Sequence, residues 1–116
     1  YLPTTQNYSG YLRTIAYSGN FTEVIATLLA VEWPYLDWAQ RADRAGKRPD
    51  NHYYQTWIDL HVSQGMNDFV GWLSRTVDES APTADQHACL QEIFLNVLRY
   101  EYLFFEMAYR GEAWPE

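Results

Sequence analysis

The sequence predicts an all-α protein in which near-antiparallel helices form a bundle. Apolar residues recur at spacings of three and four over long stretches, which is the period of an amphipathic helix. No segment keeps the alternation of a strand, and the hairpin dipeptides Asn-Gly and Asp-Gly do not occur. Because the chain has 116 residues and no internal repeat, we expect a single helical domain over residues 1–116.

The first two helices are expected to meet at a short polar break. A first helix over residues 8–18 can end at Gly19. Asn20, followed three residues later by Glu23, has the pattern of a capping box. This pattern, with the apolar periodicity that follows it, predicts a second helix over residues 21–44.

Three further helices are expected after a polar loop at residues 45–50. Aromatic and aliphatic residues recur at helical spacing in two short segments, with Gly65 as the break between them. Thr83, at the end of a turn over residues 80–83, is the candidate N-cap of a long helix that Gly111 closes. The three predicted ranges are 53–61, 66–77 and 84–109.

Charge and cysteine content exclude several classes of protein. The net charge is −7 and clustered Lys and Arg are absent, so we expect no nucleic-acid partner. There is neither a signal-peptide pattern nor an apolar run of about 18 residues, so we expect no membrane association. The single cysteine, Cys89, allows no internal disulfide, which favours a cytoplasmic protein, and we expect it in the core.

Two glutamates lie on otherwise apolar helix faces. Around Glu32, the positions three, four and seven residues away hold Ile25, Leu28, Leu29, Tyr35, Leu36 and Ala39. Around Glu101, the same positions hold Phe94, Val97, Leu98, Phe104, Phe105 and Ala108. Both carboxylates are therefore expected to point inward and to line one cavity. Pro34 should kink the helix or widen a turn beside Glu32.

A buried carboxylate has to be paired, protonated, metal-bound or exposed to a polar cavity, because burying it alone costs several kcal/mol. A hydrogen bond from a Trp or Tyr donor in the core would satisfy either glutamate. A di-metal bundle would need Glu-x-x-His pairs, and neither Glu32 nor Glu101 has a His three or four residues later. We therefore expect no metal and no other cofactor.

Aromatic residues are abundant, with five Trp, ten Tyr and five Phe. A small bundle cannot easily bury so many rings while satisfying their polar atoms, so some should face a ligand or another protein surface. Tyr8, Tyr35 and His61 are polar-tipped rings on apolar faces, suited to stacking on a flat ligand or directing its hydrogen bonds. Taken singly, each also fits an ordinary place in the core or at its rim.

Five stretches resemble the TenA/thiaminase II family: YSGYL at 8–12, SGNFTE at 18–23, AVEWPYLDWA at 30–39, YQTWI at 54–58 and YEYLFFEMAY at 100–109. The resemblance covers nearly the whole chain, and the last stretch is the most specific. It implies a haem-oxygenase-like helical bundle, usually assembled as a homotetramer. It also implies an enzyme that cleaves or hydrolyses thiamin-derived aminopyrimidines in vitamin salvage.

The resemblance further implies roles for the candidate residues. The commoner subclass has a nucleophilic Cys at what looks like Val31, whereas this sequence offers Glu32 beside that position and is similar to the subclass that uses a glutamate. Glu101 matches the family's acid/base glutamate. The tyrosines of the family's pocket wall correspond to Tyr8, Tyr35 and, with different local spacing, His61.

On this basis Glu101 is expected to donate a proton to the pyrimidine or its leaving group, and Glu32 to activate water or hold the departing amine. Burial should raise the pKa of at least one of the two carboxyls. The family also uses an Asp that holds the aminopyrimidine and aromatic residues that stack on it. Both would precede Tyr1, so the chain is expected to be the C-terminal half of the fold, without its N-terminal helices.

Two other functions fit the same residues. A non-enzymatic, haem-oxygenase-like module could use Glu32 and Glu101 to bind an amine-bearing small molecule without chemistry. A structural assembly domain could use the surplus rings in subunit contacts. Product formation separates the first from an enzyme, and the direction in which Tyr8 and Tyr35 face separates the second.

Overall fold

A computed structural model describes residues 1–46, 48–80 and 83–115. Within these ranges the chain forms five α-helices and no strand, which confirms the predicted all-α class. The helices are α1 (Pro3–Ser18), α2 (Phe21–Arg44), α3 (His52–His61), α4 (Gln64–Ser80) and α5 (Ala84–Arg110). Lys47 of the predicted loop, and Ala81 and Pro82 of the predicted turn, lie outside the described residues.

The break between α1 and α2 has the predicted capping chemistry. Asn20 Oδ1 accepts the Glu23 backbone N–H at 3.0 Å, and Glu23 Oε2 accepts the Asn20 backbone N–H at 3.1 Å. Gly19 is extended rather than left-handed, with φ −77°. It is required for another reason, because a Cβ at this position would lie 2.6 Å from the carbonyl oxygen of Ile15.

The other helix ends agree with the sequence in part. Thr83 caps α5 by accepting the Gln86 N–H, and Gly111 ends α5 in the left-handed conformation at φ 70°. Helix α1 begins five residues earlier than predicted, because Pro3 is well suited to the first turn of a helix. Gly65 lies inside α4, and the chain breaks instead at Val62 and Ser63.

Helix α2 is the centre of the packing, because it contacts each of the other four helices of the described chain. It remains α-helical on both sides of Pro34, so the widened turn predicted there is not seen. Ala30 is fully buried and its small side chain lets α1 and α5 approach closely. The core cluster joins these three helices and contains Tyr8, Ile15, Ala30, Ile93 and Val97.

The described residues form a flat slab of 48 × 45 × 19 Å, about two helix diameters thick. Its radius of gyration is 16.0 Å, whereas a compact domain of this length has about 13 Å. A flat shape leaves large apolar side chains on the surface, among them Trp33, Trp38, Trp72, Leu103 and Phe105. None of the described helices is both long enough and apolar enough to cross a membrane.

Cys89 is exposed, so its predicted place in the core is wrong. It lies near the start of α5, where its Sγ is 3.8 Å from Glu23 Oε1. Partial burial, followed by the charge of this glutamate, raises the pKa of the thiol. A raised pKa disfavours the thiolate, which is the nucleophilic form of cysteine.

Candidate active site

The centre of the site is the carboxyl group of Glu101, on the inner face of α5. Glu101 is only 3 % exposed, as its apolar flanks predict. The Tyr8 hydroxyl donates a hydrogen bond to Oε1 at 2.5 Å, and the Tyr35 hydroxyl donates one to Oε2 at 2.8 Å. The structure therefore brings together three predicted site residues from three different helices, with one donor for each oxygen of the carboxyl group.

Tyr8 is held in place by aromatic packing between α1 and α5. Its ring stacks on that of Tyr100, with centroids 5.3 Å apart and planes 6° from parallel. Tyr11, one turn later in α1, also packs against Tyr100, with the ring centroids 5.3 Å apart. Stacked rings of this kind resist rotation. The Tyr8 hydroxyl is therefore fixed on Glu101.

Tyr35 lies at the centre of a second aromatic group, contributed by α2, α3 and α5. Its ring meets three others edge to face, with centroid distances of 5.6 Å to His61, 6.0 Å to Trp57 and 6.1 Å to Phe105. Trp38 packs against it at 5.8 Å. These neighbours leave the Tyr35 ring little freedom, so its hydroxyl stays directed at Glu101.

His61 lies beside Tyr35 at the end of α3, and its tautomer follows from its hydrogen bond. The Nδ1 atom is 2.6 Å from the carbonyl oxygen of Trp57. A carbonyl oxygen can only accept, so Nδ1 carries a proton and donates it. In the neutral ring, Nε2 is then left as an acceptor. His61 can therefore accept a proton at Nε2 while Nδ1 keeps the ring oriented.

The two tyrosines are kept as hydrogen-bond donors by their surroundings. Burial raises the pKa of Tyr8 and Tyr35 far above the ordinary value for tyrosine. The hydrogen bond to Glu101 and the charge of Glu101 raise both values further. Both phenols keep their protons at any physiological pH. An ionised carboxylate can accept a hydrogen bond from each phenol at once, whereas a protonated carboxyl group would have to direct its own O–H toward one of them.

Glu32 lies close to this cluster but in a different environment. Its side chain is half-buried, and its carboxyl takes no part in the side-chain hydrogen bonds observed among residues 1–46, 48–80 and 83–115. Burial raises the pKa of Glu32; the charge of His61 opposes the rise and that of Glu101 adds to it. The two carboxyl groups thus have different environments. Glu101 accepts hydrogen bonds from two tyrosines, whereas Glu32 is only half-buried.

Glu101 itself is buried, whereas Glu32 keeps part of its side chain exposed. None of five cavities found in the described part of the chain is lined by Glu32 or Glu101. Nor do the described residues contain three Asp, Glu, His or Cys side chains grouped to hold a metal ion.

Sequence reasoning found the polar residues of the site but missed the rings that orient them. Tyr100, Trp57 and Phe105 hold Tyr8, His61 and Tyr35 in place. The one signal available was adjacency, since Tyr100 precedes Glu101 directly. Adjacent residues of a helix point about 100° apart. Tyr100 and Glu101 both contact Tyr8 only because α1 packs across α5 at this point.

These features define a helical protein that holds one glutamate between tyrosines from two neighbouring helices, with a second glutamate beside it. The chain matches the TENA/THI-4/PQQC family over residues 1–111 and belongs to that family. The predicted resemblance is therefore confirmed, together with the haem-oxygenase-like class of helical fold.

Three curated relatives are named aminopyrimidine aminohydrolase. The protein from Halalkalibacterium halodurans is 30% identical over 96% of this chain and 50% of its own length. Those from Helicobacter pylori and Bacillus subtilis are each 31% identical, over 94% and 98% of this chain and 52% and 48% of their own lengths. The chain thus spans about half the length of the curated relatives it matches.

Proposed function

We propose that the protein to which this chain belongs hydrolyses thiamin-derived aminopyrimidines in vitamin salvage. Three relatives at about this identity carry the name aminopyrimidine aminohydrolase. The observation that carries the proposal is the position of Glu101, buried and bonded to Tyr8 and Tyr35 at both carboxyl oxygens. Beside it, burial raises the pKa of a second carboxyl group, Glu32, and shifted pKa values of this kind are common among catalytic acids and bases.

The proposed reaction replaces a C–N bond by a C–O bond. Water attacks the carbon that bears the amine and gives up one proton, and the amine leaves with one proton more than it had. One group must therefore accept a proton and another must donate one. Two carboxyl groups in unlike environments can divide these tasks.

The hydrogen bonds favour a division of roles opposite to the one expected from the family likeness. Glu32 has the raised pKa, so it holds a proton closer to neutral pH and is the better donor to the leaving amine. Both carboxyl oxygens of Glu101 accept a hydrogen bond from a phenol, and this fixed orientation suits the group to accept the proton of water or to hold the pyrimidine. His61, whose charge acts on Glu32, is proposed to restore the proton to Glu32 between turnovers.

The remaining residues bind and orient the substrate in this proposal. Tyr8 and Tyr35 fix Glu101, and the ring of His61, which packs edge to face on Tyr35, is proposed to contact a flat pyrimidine. Val31 packs against the core cluster and offers no thiol, so a covalent cysteine intermediate is not available. We therefore assign the protein to the glutamate-type subclass, acting on aminopyrimidines in preference to intact thiamin.

The test is a direct assay on the complete natural protein. With 4-amino-5-aminomethyl-2-methylpyrimidine as substrate, we expect stoichiometric release of ammonia and formation of the hydroxymethyl product. A thermal-shift measurement with the same compound runs in parallel. If the compound raises the melting temperature but no ammonia forms, the protein is a binding module instead. If it does neither, the proposed substrate class is wrong.

We further propose that the protein acts as a homo-oligomer in the cytoplasm, a tetramer by family likeness. The large apolar side chains exposed on the slab support association, because monomeric proteins rarely leave such patches uncovered. Sedimentation of the complete protein would check this. A monomer at micromolar concentration would contradict it.

A further inference from the structure

Helix α1 carries Tyr8, so the contacts that hold the start of α1 in place also bear on the site. Helix α1 has no cap of its own, because the residue at its N-cap position is Leu2. It also has no acidic residue in its first turn. The free N–H groups of a first turn need acceptors, and the positive end of the helix dipole favours a negative charge.

Glu112, near the other end of the chain, supplies both the hydrogen-bond acceptors and the negative charge. Its Oε2 accepts the backbone N–H of Thr4 at 3.0 Å, and its Oε1 accepts the Thr4 hydroxyl at 2.8 Å. The two residues are 108 positions apart in sequence. A carboxylate bound at both oxygens in this way is fixed in distance and in orientation.

The end of α5 is shaped to deliver Glu112 to this place. Gly111 adopts the left-handed conformation, and the N–H groups of Gly111 and Glu112 both reach the carbonyl oxygen of Met107, at 3.0 and 3.1 Å. This turn folds the chain back over α1. The sulfur atom of Met107 also accepts the hydroxyl of Thr5 at 3.3 Å, and the Trp114 indole donates to the Tyr1 carbonyl at 2.9 Å.

The attachment lies one turn away from the active-site contact. Tyr8 is four residues after Thr4 and three after Thr5, so all three lie on the face of α1 that meets α5. Helix α1 runs antiparallel to α5, bound first at Glu112 and Met107 and then at Glu101. A first turn that loosens at Thr4 would change the distance from the Tyr8 hydroxyl to Glu101.

We propose that Glu112 is a positioning residue of the active site: by capping α1 it holds the Tyr8 hydroxyl on the Glu101 carboxylate. The side chain of Glu112 is bonded to Thr4 and not to Glu101, and in this proposal it acts only through α1. The placement of Tyr8 stands on the contacts above, whereas its consequence for turnover rests on the proposed function. The two parts are therefore measured separately.

The first measurement reads Tyr8 without substrate, in the complete natural protein labelled with ¹³C at the tyrosine ζ-carbons. The Tyr8 resonance is assigned by its loss in Tyr8→Phe. In Glu112→Ala we expect it to move toward the position of an exposed tyrosine such as Tyr17. In Glu112→Gln it should stay close to wild type, because the amide oxygen still accepts the Thr4 N–H.

A matched control is available on the same helix end. Glu106 forms an i,i+4 ion pair with Arg110 at 2.6 Å. In Glu106→Ala the Tyr8 resonance should not move. If Glu112→Ala fails to fold, Thr4→Val removes only the hydroxyl bond to Glu112 and should shift the resonance in the same direction by a smaller amount. An unmoved Tyr8 resonance in the folded variant, or an equal shift in Glu106→Ala, overturns the proposal.

The second measurement reads turnover by ammonia release. We expect Glu112→Ala to lower kcat/KM about fivefold to tenfold in the wild-type background and to have no further effect in the Tyr8→Phe background. Effects that multiply in the double variant would mean that Glu112 acts by a route other than Tyr8. A wild-type protein that releases no ammonia would refute the proposed function instead, and the resonance of Tyr8 would still decide the role of Glu112.

Discussion

Replacing Glu101 by Gln tests the centre of the site with the least change in shape. The amide keeps one oxygen as an acceptor for a phenol, but its NH₂ group meets the other phenol as a donor. That tyrosine can rotate its own proton away and accept, so neither Tyr8 nor Tyr35 is left without a partner. The Glu101→Gln variant is therefore expected to fold.

The expected change in stability is small because two effects oppose each other. Hydrogen bonds to a charged group contribute about 1.5 to 3 kcal/mol each, and neutral ones about 0.5 to 1.5 kcal/mol, so weakening two costs about 2 kcal/mol. Removing a buried charge recovers a desolvation penalty of similar size. The free energy of unfolding should then change by no more than about 2 kcal/mol in either direction.

The expected change in activity is large. A positioned acid or base contributes a factor of about 100 to 10,000 to the rate, so Glu101→Gln should lower kcat by at least about 100-fold. Steady-state ammonia release from the aminomethylpyrimidine measures this, with circular dichroism to confirm the fold. Glu106→Gln, on the same helix and outside the site, should retain wild-type kcat. If Glu101→Gln turned over within threefold of wild type, Glu101 would not be the catalytic carboxyl group.

Three further predictions concern groups whose environment is equally well defined. Glu32→Gln should raise stability at pH 7, by no more than about 0.5 kcal/mol after solvent screening, and change nothing below the ordinary carboxyl pKa. A carboxyl group with a raised pKa stabilises the fold only while it is protonated and loses that contribution as the pH rises. If Glu32→Gln were equally stabilising at acid pH, the direction of the pKa shift would be contradicted. The pKa values of Tyr8 and Tyr35 are also raised, so the free energy of unfolding should hold below the ordinary tyrosine pKa and fall as the pH rises above it. An ultraviolet titration in which all ten tyrosines ionised before the protein unfolded would refute this. Gly19→Ala should destabilise the protein by about 2 kcal/mol or more by chemical denaturation, because its Cβ would meet the Ile15 carbonyl. Gly10→Ala, with open space at the Cβ and a helical backbone, should stabilise it by up to about 1 kcal/mol, and equal effects at the two glycines would rule out the contact as the cause.

The sequence was sufficient for features decided within a few residues of each other. The capping box at Asn20 fixes the start of α2, and Thr83 fixes the start of α5. The apolar flanks of Glu101 predicted its burial, because helical periodicity alone decides which face a residue occupies. Hydrogen-bond partners from other helices were beyond such reasoning, and only the likeness to a family pointed to Tyr8 and Tyr35 as a pair.

Features decided by the shape of the whole chain were missed for a physical reason. Cys89 lies on a stretch that reads as ordinary helix, and it is exposed because the slab leaves the start of α5 uncovered. A periodic pattern says which residues point inward but not how many layers of helix cover them, so the cavity shared by Glu32 and Glu101 stays a prediction. Glu112 gave no signal, because its partner lies at the opposite end of the sequence.

The stretch from Tyr100 to Tyr109 forms contacts that constrain its sequence from two sides. Helix α5 lies against both α1 and α2, so residues of this stretch have to satisfy two neighbours at once. Tyr100 stacks on α1 through Tyr8, Glu101 binds one tyrosine from each helix, and Phe105, one turn later, packs on Tyr35 of α2. A substitution that improved the fit to one helix would weaken the hydrogen bond that the tyrosine of the other helix donates to Glu101. Such double contacts constrain a sequence more than burial alone, which tolerates most apolar residues of similar size.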